Sequence, residues 1–223
     1  MKQYAAVILA LMLSACASNS IKYKDGSQSA RPFKVGDLAK SDIDMVAEIH
    51  QQEVLAGLKQ LANNLYRLNP RELHKSGASK IGEAVDNAVV WPMEPKLGAE
   101  WDVRVKDAFR KEYPGDRVQA MIEGLLAMTM SSYNDKMDFY VLDSLEPQRL
   151  YNSARNYEIV QKKLISPSTS ANKPTLKTDD ATEHHFSKII AIQDTLAKIV
   201  EDKTNRTIKN GVINVATFMF FPI

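Results

Sequence analysis

Two adjacent histidines, His184 and His185, have side chains that could bind a metal ion. Glu183 precedes them, and Asp179 and Asp180 lie just upstream, so imidazole and carboxylate groups are close together in the chain. Adjacent residues on a helix point about 100° apart, however, so this pair cannot hold one ion as two histidines four positions apart do. Acidic side chains also suit the start of a helix without any metal. We therefore predict neither a metal site nor a cofactor, and keep His184 and His185 as candidate ligands to be tested.

Polar side chains interrupt the predicted apolar helices at two places: Asn63 and Asn64 in the first, and Asn152, Arg155 and Asn156 in the second. The second set shares one helix face, because its members are three and four positions apart. A guanidinium group suits a carboxylate or a phosphate, so this face is our candidate ligand or partner site. The alternative is a set of hydrogen bonds that fixes the register of a helical bundle, together with a surface ion pair between Arg155 and Glu158.

The sequence lacks the short motifs that mark common catalytic sites. It has no Gly-x-Ser-x-Gly, no Ser-x-x-Lys with its partner motifs, and no glycine-rich phosphate loop. Paired carboxylates that hydrolyse glycosidic bonds can lie far apart in sequence, so an enzyme of that type is not excluded. The chain has one cysteine, Cys16, whose position indicates a use other than catalysis.

Cys16 follows a short apolar segment near the start of the chain. Lys2 precedes apolar residues 4–13, which are fewer than the roughly 20 residues that a membrane-spanning helix needs. The segment ends in Leu13-Ser14-Ala15-Cys16 and resembles the lipobox of bacterial lipoproteins. The resemblance implies that residues 1–15 are a cleaved signal peptide, and that Cys16 carries a diacylglycerol and a further acyl chain such as palmitate. Several acyl chains would anchor the protein lastingly, because a single chain binds a membrane only marginally.

The residues after Cys16 bear on where such a lipoprotein resides. Ala17 and Ser18 follow the cysteine, whereas an aspartate at that place often retains Gram-negative lipoproteins in the inner membrane. The resemblance therefore implies the outer membrane, with the domain facing the periplasm. Residues 16–40 are rich in Ser, Asn, Lys and Gly and contain Arg31-Pro32, which is typical of a flexible tether.

The composition is that of an ordinary folded domain. The hydrophobic share of 44% and charged share of 25% suffice for one domain with a core. A formal net charge of +2 gives no broad basic field, so we predict no nucleic-acid binding. A single cysteine excludes a disulfide framework within the chain.

Residues 41–223 are predicted to form a single all-α domain. Ser41 and Asp44 resemble a capping box, and five aliphatic residues follow on one helical stripe: Val54, Leu58, Leu61, Leu65 and Leu68. Similar patterns recur and predict an irregular bundle of about six to eight helices, interrupted by a long loop over residues 166–182. Residues 212–223 fit either a core strand or a final helix, and we favour the helix because the neighbouring segments are helical.

We expect a non-enzymatic outer-membrane lipoprotein whose domain binds other envelope proteins in assembly or maintenance. This expectation rests on the lipid anchor, the tether and the helical domain. Two alternatives stay open. One is an envelope enzyme that acts on peptidoglycan. The other is a carrier of a small ligand or a metal, which would use the Asn152, Arg155 and Asn156 face or the pair His184 and His185.

Overall fold

The computed structural model describes residues 21, 23–27, 39–92, 101–165 and 176–220, with side chains of the last segment described through residue 205. The chain divides into two compact units, Met1–Ala39 and Lys40–Ile223. In the first unit the described residues include a turn, in which the Asp25 carboxylate accepts hydrogen bonds from the backbone N–H and hydroxyl of Ser27 at 2.9 and 2.6 Å. The predicted signal peptide, Cys16 and most of the predicted tether lie outside the described residues.

The second unit is built from helices only, as far as it is described. In chain order they are α1 (Asp42–Leu68), α2 (Pro70–Lys75), α3 (Ile81–Ala88), α4 (Trp101–Phe109), α5 (Arg117–Ser132), α6 (Pro147–Ile165) and α7 (Asp180–Phe220). The prediction of an all-α bundle of six to eight helices is confirmed. Residues 212–220 continue the helix of α7, as favoured from the sequence, and residues 221–223 lie beyond the described part.

Helix α1 begins and packs as its sequence predicts. The Asp44 carboxylate accepts hydrogen bonds from the backbone N–H and the hydroxyl of Ser41, at 2.7 and 2.6 Å, and these two bonds fix the first turn. The predicted stripe is buried through Leu65, and Leu68 at the helix end is half-buried. Pro70 follows at the first position of α2, which ends α1 because a proline disfavours helical geometry in the residue before it.

Helix α5 is the central element of the bundle. Fourteen of its residues are buried, and it packs against α1, α3, α4 and α6, so apolar side chains are needed on nearly all of its faces. The closest approach is to α4 at Gly124, where a Cβ atom would lie 2.8 Å from the carbonyl oxygen of Trp101. A side chain at this position would therefore push α4 away from α5.

Helices α1 and α7 are antiparallel neighbours along most of the domain. Asn64, near the end of α1, donates to the hydroxyl of Thr182 in the first turn of α7 at 2.9 Å, whereas Lys203 reaches the hydroxyl of Ser41 at 3.5 Å. Helix α7 begins at Asp180, three residues before the predicted start, because the Asp179 carboxylate accepts the Thr182 N–H at 2.9 Å and caps the helix. Within the described residues, the loop predicted over residues 166–182 therefore ends at Asp179.

The apolar side chains form two clusters. The larger one surrounds α5 and includes the buried apolar residues of α1 from Val54 to Tyr66. The smaller one lies where α1 begins and consists of Ala47, Tyr133, Phe139, Leu150, Leu196, Ala197 and Val200, with Ile43, Val46 and Leu145 against it. None of the helices in the described segments is long and apolar enough to cross a membrane.

Candidate partner-docking site

The loop between α5 and α6 exposes an unusual amount of apolar surface. Over residues 133–146, which we call the docking loop, the exposed fractions are 42% for Met137, 43% for Tyr140, 64% for Val141 and 95% for Leu142. Single exposed apolar residues are common, but four large ones within six positions form a patch. Such a patch on a folded domain is typical of an interaction surface.

A groove of about 320 Å³ lies beside this patch. Its apolar lining comes from the start of α1, the docking loop and the middle of α7: Ile43, Phe139, Val141, Leu142, Leu145 and Val200. Its polar lining consists of Asp44, Asp143, Ser144, Lys203 and Thr204. The smaller apolar cluster therefore opens to solvent through a groove that three separate segments of the chain form.

The docking loop starts with two residues in the left-handed region of backbone space. Asn134 has φ of 56° and Asp135 has φ of 59°, and asparagine and aspartate tolerate this region better than most residues with a Cβ. The Asn134 amide donates to the carbonyl of Ser144 at 2.8 Å and accepts from the Arg149 guanidinium at 2.6 Å. One side chain thus ties the beginning of the loop to its end.

Two polar side chains of α1 bind the backbone of the docking loop from the inside. The fully buried Gln51 donates to the carbonyl of Lys136 at 2.7 Å, and the buried Glu48 carboxylate accepts the N–H of Phe139 at 3.0 Å. Glu48 also pairs with Lys40, whose side chain is only 5% exposed. This hydrogen bond raises the pKa of Lys40 above its usual value. The loop is therefore fixed to α1 by two hydrogen bonds, of which the Glu48 bond is buried and charge-assisted.

A second set of bonds fixes the exposed turn itself. The Asp143 carboxylate accepts the N–H of Tyr140 at 3.1 Å and pairs with the Lys136 ammonium group, and the Lys136 bond lowers the pKa of Asp143. The Asp143 N–H in turn donates to the carbonyl of Tyr140 at 2.7 Å. Val141 and Leu142 lie between these two residues. Their exposure therefore belongs to a turn that is hydrogen-bonded on both sides.

The surroundings of the groove are acidic. The three segments that form it, residues 40–48, 133–146 and 200–204, carry nine acidic and three basic side chains. The whole chain has a formal net charge of +2, so the negative charge here is local. Lys40 pairs with Glu48, and Lys136 pairs with Asp143. The described side chains of these three segments therefore carry a net negative charge.

The predicted polar face lies elsewhere, on α6. The Arg155 guanidinium pairs with Glu158 at 2.7 Å and with Asp194 of α7 at 3.5 Å, and lies over the Tyr151 ring at 5.0 Å from its centre. The oxygen of Asn152 accepts a hydrogen bond from Gln148 at 2.8 Å. Asn156 is half-buried. The structure thus places the guanidinium between two carboxylates rather than at the groove, and the Arg155–Glu158 pair considered from the sequence is present.

The asparagines of α1 and one of the two histidines come together at a different place. A shallow hollow of about 370 Å³ is lined by Lys59, Gln60, Asn63, Asn64, Val85 and His185. Asn64 uses its amide to donate to Asp179 at 2.7 Å, which lowers the pKa of Asp179 to about 2. The role of Asn64 visible here is therefore to support the start of α7, and a sequence pattern of isolated asparagines could not reveal that partner.

The two histidines differ in their exposure to solvent. His184 is exposed, whereas His185 is half-buried and its pKa is lowered by burial. The two ring centres are 6.1 Å apart, with an angle of 59° between the planes. In the described segments no three His, Cys, Asp or Glu side chains are grouped as metal ligands.

A network of buried carboxylates was not predicted from the sequence. The Asp116 carboxylate caps α5 by accepting the Val118 N–H at 2.8 Å, and it accepts the Tyr66 hydroxyl at 2.6 Å. Burial raises the pKa of Asp116 and also that of Glu123, which pairs with Arg104. These groups have partners inside the bundle and lie outside the groove lining, so we interpret them as structural.

Comparison of the chain with protein-family models, with curated proteins and with solved structures gave no match.

Proposed function

We propose that this chain is a lipid-anchored lipoprotein of the bacterial outer membrane whose helical domain binds a protein partner in envelope assembly or maintenance. The observation that carries the binding function is Leu142, which is 95% exposed beside an apolar groove on a turn that is hydrogen-bonded on both sides. The lipid anchor rests on the residues Leu13-Ser14-Ala15-Cys16.

The exposed apolar side chains of the docking loop leave stabilising free energy unused. Burying one leucine or valine side chain stabilises a protein by about 1.5–3 kcal/mol relative to leaving it exposed. Val141 and Leu142 give up this stabilisation, although the groove beside them is apolar. A partner that covers both side chains would recover it. Because Asp143 and Asn134 already order the loop, binding would lose little further conformational entropy.

The proposed anchor would bring this surface within reach of other envelope proteins. As the tether that their composition predicts, residues 16–40 would have a root-mean-square end-to-end distance of about 28 Å. Lipid on Cys16 would therefore keep the domain near the membrane while the docking loop stays free to meet proteins in the periplasm. Concentrating two partners at one membrane raises their effective concentration, which suits an interaction of modest intrinsic affinity.

The proposal is tested by placing a photo-crosslinking amino acid at Leu142 of the full chain, expressed at native level in its own bacterium. A matched copy carries the same amino acid at Ile159, which is 62% exposed on α6 and outside the groove. We expect one protein to crosslink strongly from position 142 and weakly from 159. We expect Cys16→Ser to abolish acylation, seen by mass spectrometry of the mature N-terminus, and to release the chain from the membrane fraction. Equal crosslinking from both positions would count against the docking site, and an unacylated Cys16 against the anchor.

The alternative of a peptidoglycan enzyme makes a different prediction. It requires the purified chain to release soluble fragments from isolated cell walls. We expect no release above the background of a heat-denatured sample. Release of fragments would replace the proposed binding function by an enzymatic one.

A further inference from the structure

We propose that the groove binds a basic, amphipathic segment of the partner protein, one whose apolar side chains enter the groove and whose Lys or Arg side chains meet its acidic surroundings. This inference rests on the proposed function and names the chemistry of the partner. It is carried by the combination of an apolar lining with a local excess of negative charge.

The apolar lining determines which side chains of a partner can enter the groove. Phe139 and Val200 are buried at its floor, and Val141 and Leu142 stand exposed at its side. A segment that inserts leucine-like side chains would contact both, so its anchors must share one face. An amphipathic helix provides such a face through positions three and four apart.

The acidic residues of the groove segments determine which side chains can flank those anchors. Six acidic residues of the three groove segments are exposed: Asp42, Asp135, Asp138, Glu146, Glu201 and Asp202. The side chain of Asp138, for example, is 65% exposed although it lies 3.2 Å from the Lys40 ammonium group. A basic flank on the partner would be attracted to this surface, and the attraction would weaken as salt screens it.

The same charge argues against two other occupants. An anionic lipid surface would be repelled by the acidic residues of the groove segments, although the exposed Leu142 alone would favour insertion into a membrane. A second copy of the chain in a two-fold dimer would bring the same acidic surface against itself, which places like charges together. A basic segment is the occupant that satisfies the apolar and the charged features at once.

The test uses the mature chain from residue 16 with Cys16→Ser, which retains the second compact unit and needs no detergent. The probe is a fluorescent peptide of about 18 residues, or five helical turns, made of leucine and lysine on opposite faces. Two matched peptides replace lysine by glutamate or leucine by serine. Binding is followed by fluorescence anisotropy at low and at high salt.

Two pairs of variants make the test specific to the groove. Val141→Ser with Leu142→Ser removes apolar contact, and Ile159→Ser is its control on α6. Asp42→Lys with Glu201→Lys reverses charge within two of the groove segments, and Glu112→Lys with Glu183→Lys reverses the charge of two exposed acids outside those segments. Circular dichroism confirms that each variant keeps its helical content.

We expect the leucine–lysine peptide to bind at least about tenfold more tightly than either matched peptide, and both groove variants to weaken it by about tenfold. The two controls should change its affinity by less than about twofold, a difference close to the error of such affinities. Equal binding of the three peptides, or equal losses in groove and control variants, would overturn the inference. So would groove-dependent binding to phosphatidylglycerol vesicles, or a groove-dependent dimer in sedimentation, if the basic peptide does not bind.

Failure of this inference is distinguishable from failure of the proposed function. If position 142 crosslinks a single protein in cells but the crosslinked segment is acidic or uncharged, the docking function stands and the partner chemistry is wrong. If position 142 captures nothing beyond the Ile159 control, the docking function itself fails.

Discussion

The carboxylate of Glu48 accepts a hydrogen bond from the backbone N–H of Phe139, 3.0 Å away and 91 positions further along the chain. Through this bond the first helix of the bundle holds the docking loop, and the bond is buried together with the Lys40 ammonium group that neutralises the carboxylate. The proposed docking surface is consequently supported by a charged pair in the interior, and the first prediction concerns that pair.

Glu48→Ala should lower the free energy of unfolding by about 3 kcal/mol, because it removes the carboxylate that pairs with the buried Lys40 ammonium group. It should also weaken any binding that depends on Leu142, since the Phe139 N–H loses its acceptor. Urea denaturation measures the first effect. Glu53→Ala is the control, because Glu53 is in an exposed pair with Lys188 and should contribute less than about 1 kcal/mol. Similar losses in both variants would show that the buried pair has no special weight.

The second prediction concerns Asp179, whose pKa is lowered to about 2, chiefly by the Asn64 amide. The folded pKa lies below the ordinary value of 3.8, so the ionised carboxylate stabilises the fold above that pH, and this contribution is lost as the pH falls towards 2. Asn64→Ala should raise the pKa of Asp179 towards its ordinary value, as measured by NMR titration of the carboxyl carbon. Asn63→Ala, at the exposed neighbouring position, should leave it unchanged. An unchanged pKa in Asn64→Ala would refute the assigned cause.

The third prediction concerns the buried hydrogen bond from Tyr66 to Asp116. Burial raises the pKa of Asp116 above its usual value, and the Tyr66 bond opposes this shift. Tyr66→Phe should therefore raise this pKa further and destabilise the fold by about 1–3 kcal/mol near pH 7. A raised folded pKa means that protonation favours the fold, so the loss should be smaller near pH 4 than near pH 7.

Denaturant titrations of Tyr66→Phe at the two pH values measure this difference. Tyr151→Phe is the control, because Tyr151 is 43% exposed on α6 and should show no comparable loss. A loss that is the same at both pH values would mean that the ionisation of Asp116 is not involved.

The fourth prediction concerns the contact of α5 with α4. Gly124→Ala should destabilise the fold by about 1–3 kcal/mol, since the added Cβ would lie 2.8 Å from the Trp101 carbonyl oxygen and 3.0 Å from the Val105 nitrogen. Gly82→Ala is the matched control in α3, where a Cβ would meet no atom within 4 Å. There alanine should stabilise the helix by about 0.5–1 kcal/mol. Thermal unfolding of the two variants should thus shift in opposite directions.

The helices could be predicted because their causes are local. Ser41 and Asp44 start α1, and the stripe from Val54 to Leu65 shows its buried face, without any knowledge of the partners. The sequence pattern predicts the start of α7 at Glu183, three residues after its observed start. The difference arises because the cap at Asp179 depends on Asn64 of α1 as well as on its own sequence.

The docking site could not be predicted in the same way, because its causes are distant in sequence. Residues 139–142, Phe-Tyr-Val-Leu, are apolar in the printed sequence, and such a run outside a helical pattern is the one local signal of the site. Two hydrogen bonds hold this loop in place while Val141 and Leu142 stay exposed. One joins Phe139 to Glu48, 91 positions away, and the other joins Lys136 to Gln51, 85 positions away. A side-chain pattern within one segment contains no information on such pairs.

The antiparallel pairing of α1 with α7 has a consequence for the order of events during biosynthesis. Helix α1 packs against α3 and α5, and its latest packing partner in chain order is α7, which it meets through contacts such as Gly57 with Ile189. The side of α1 that α7 covers stays exposed until α7 has been synthesised. Packing of α1 against α7 is therefore among the later events in folding, because it joins segments that are far apart in the chain.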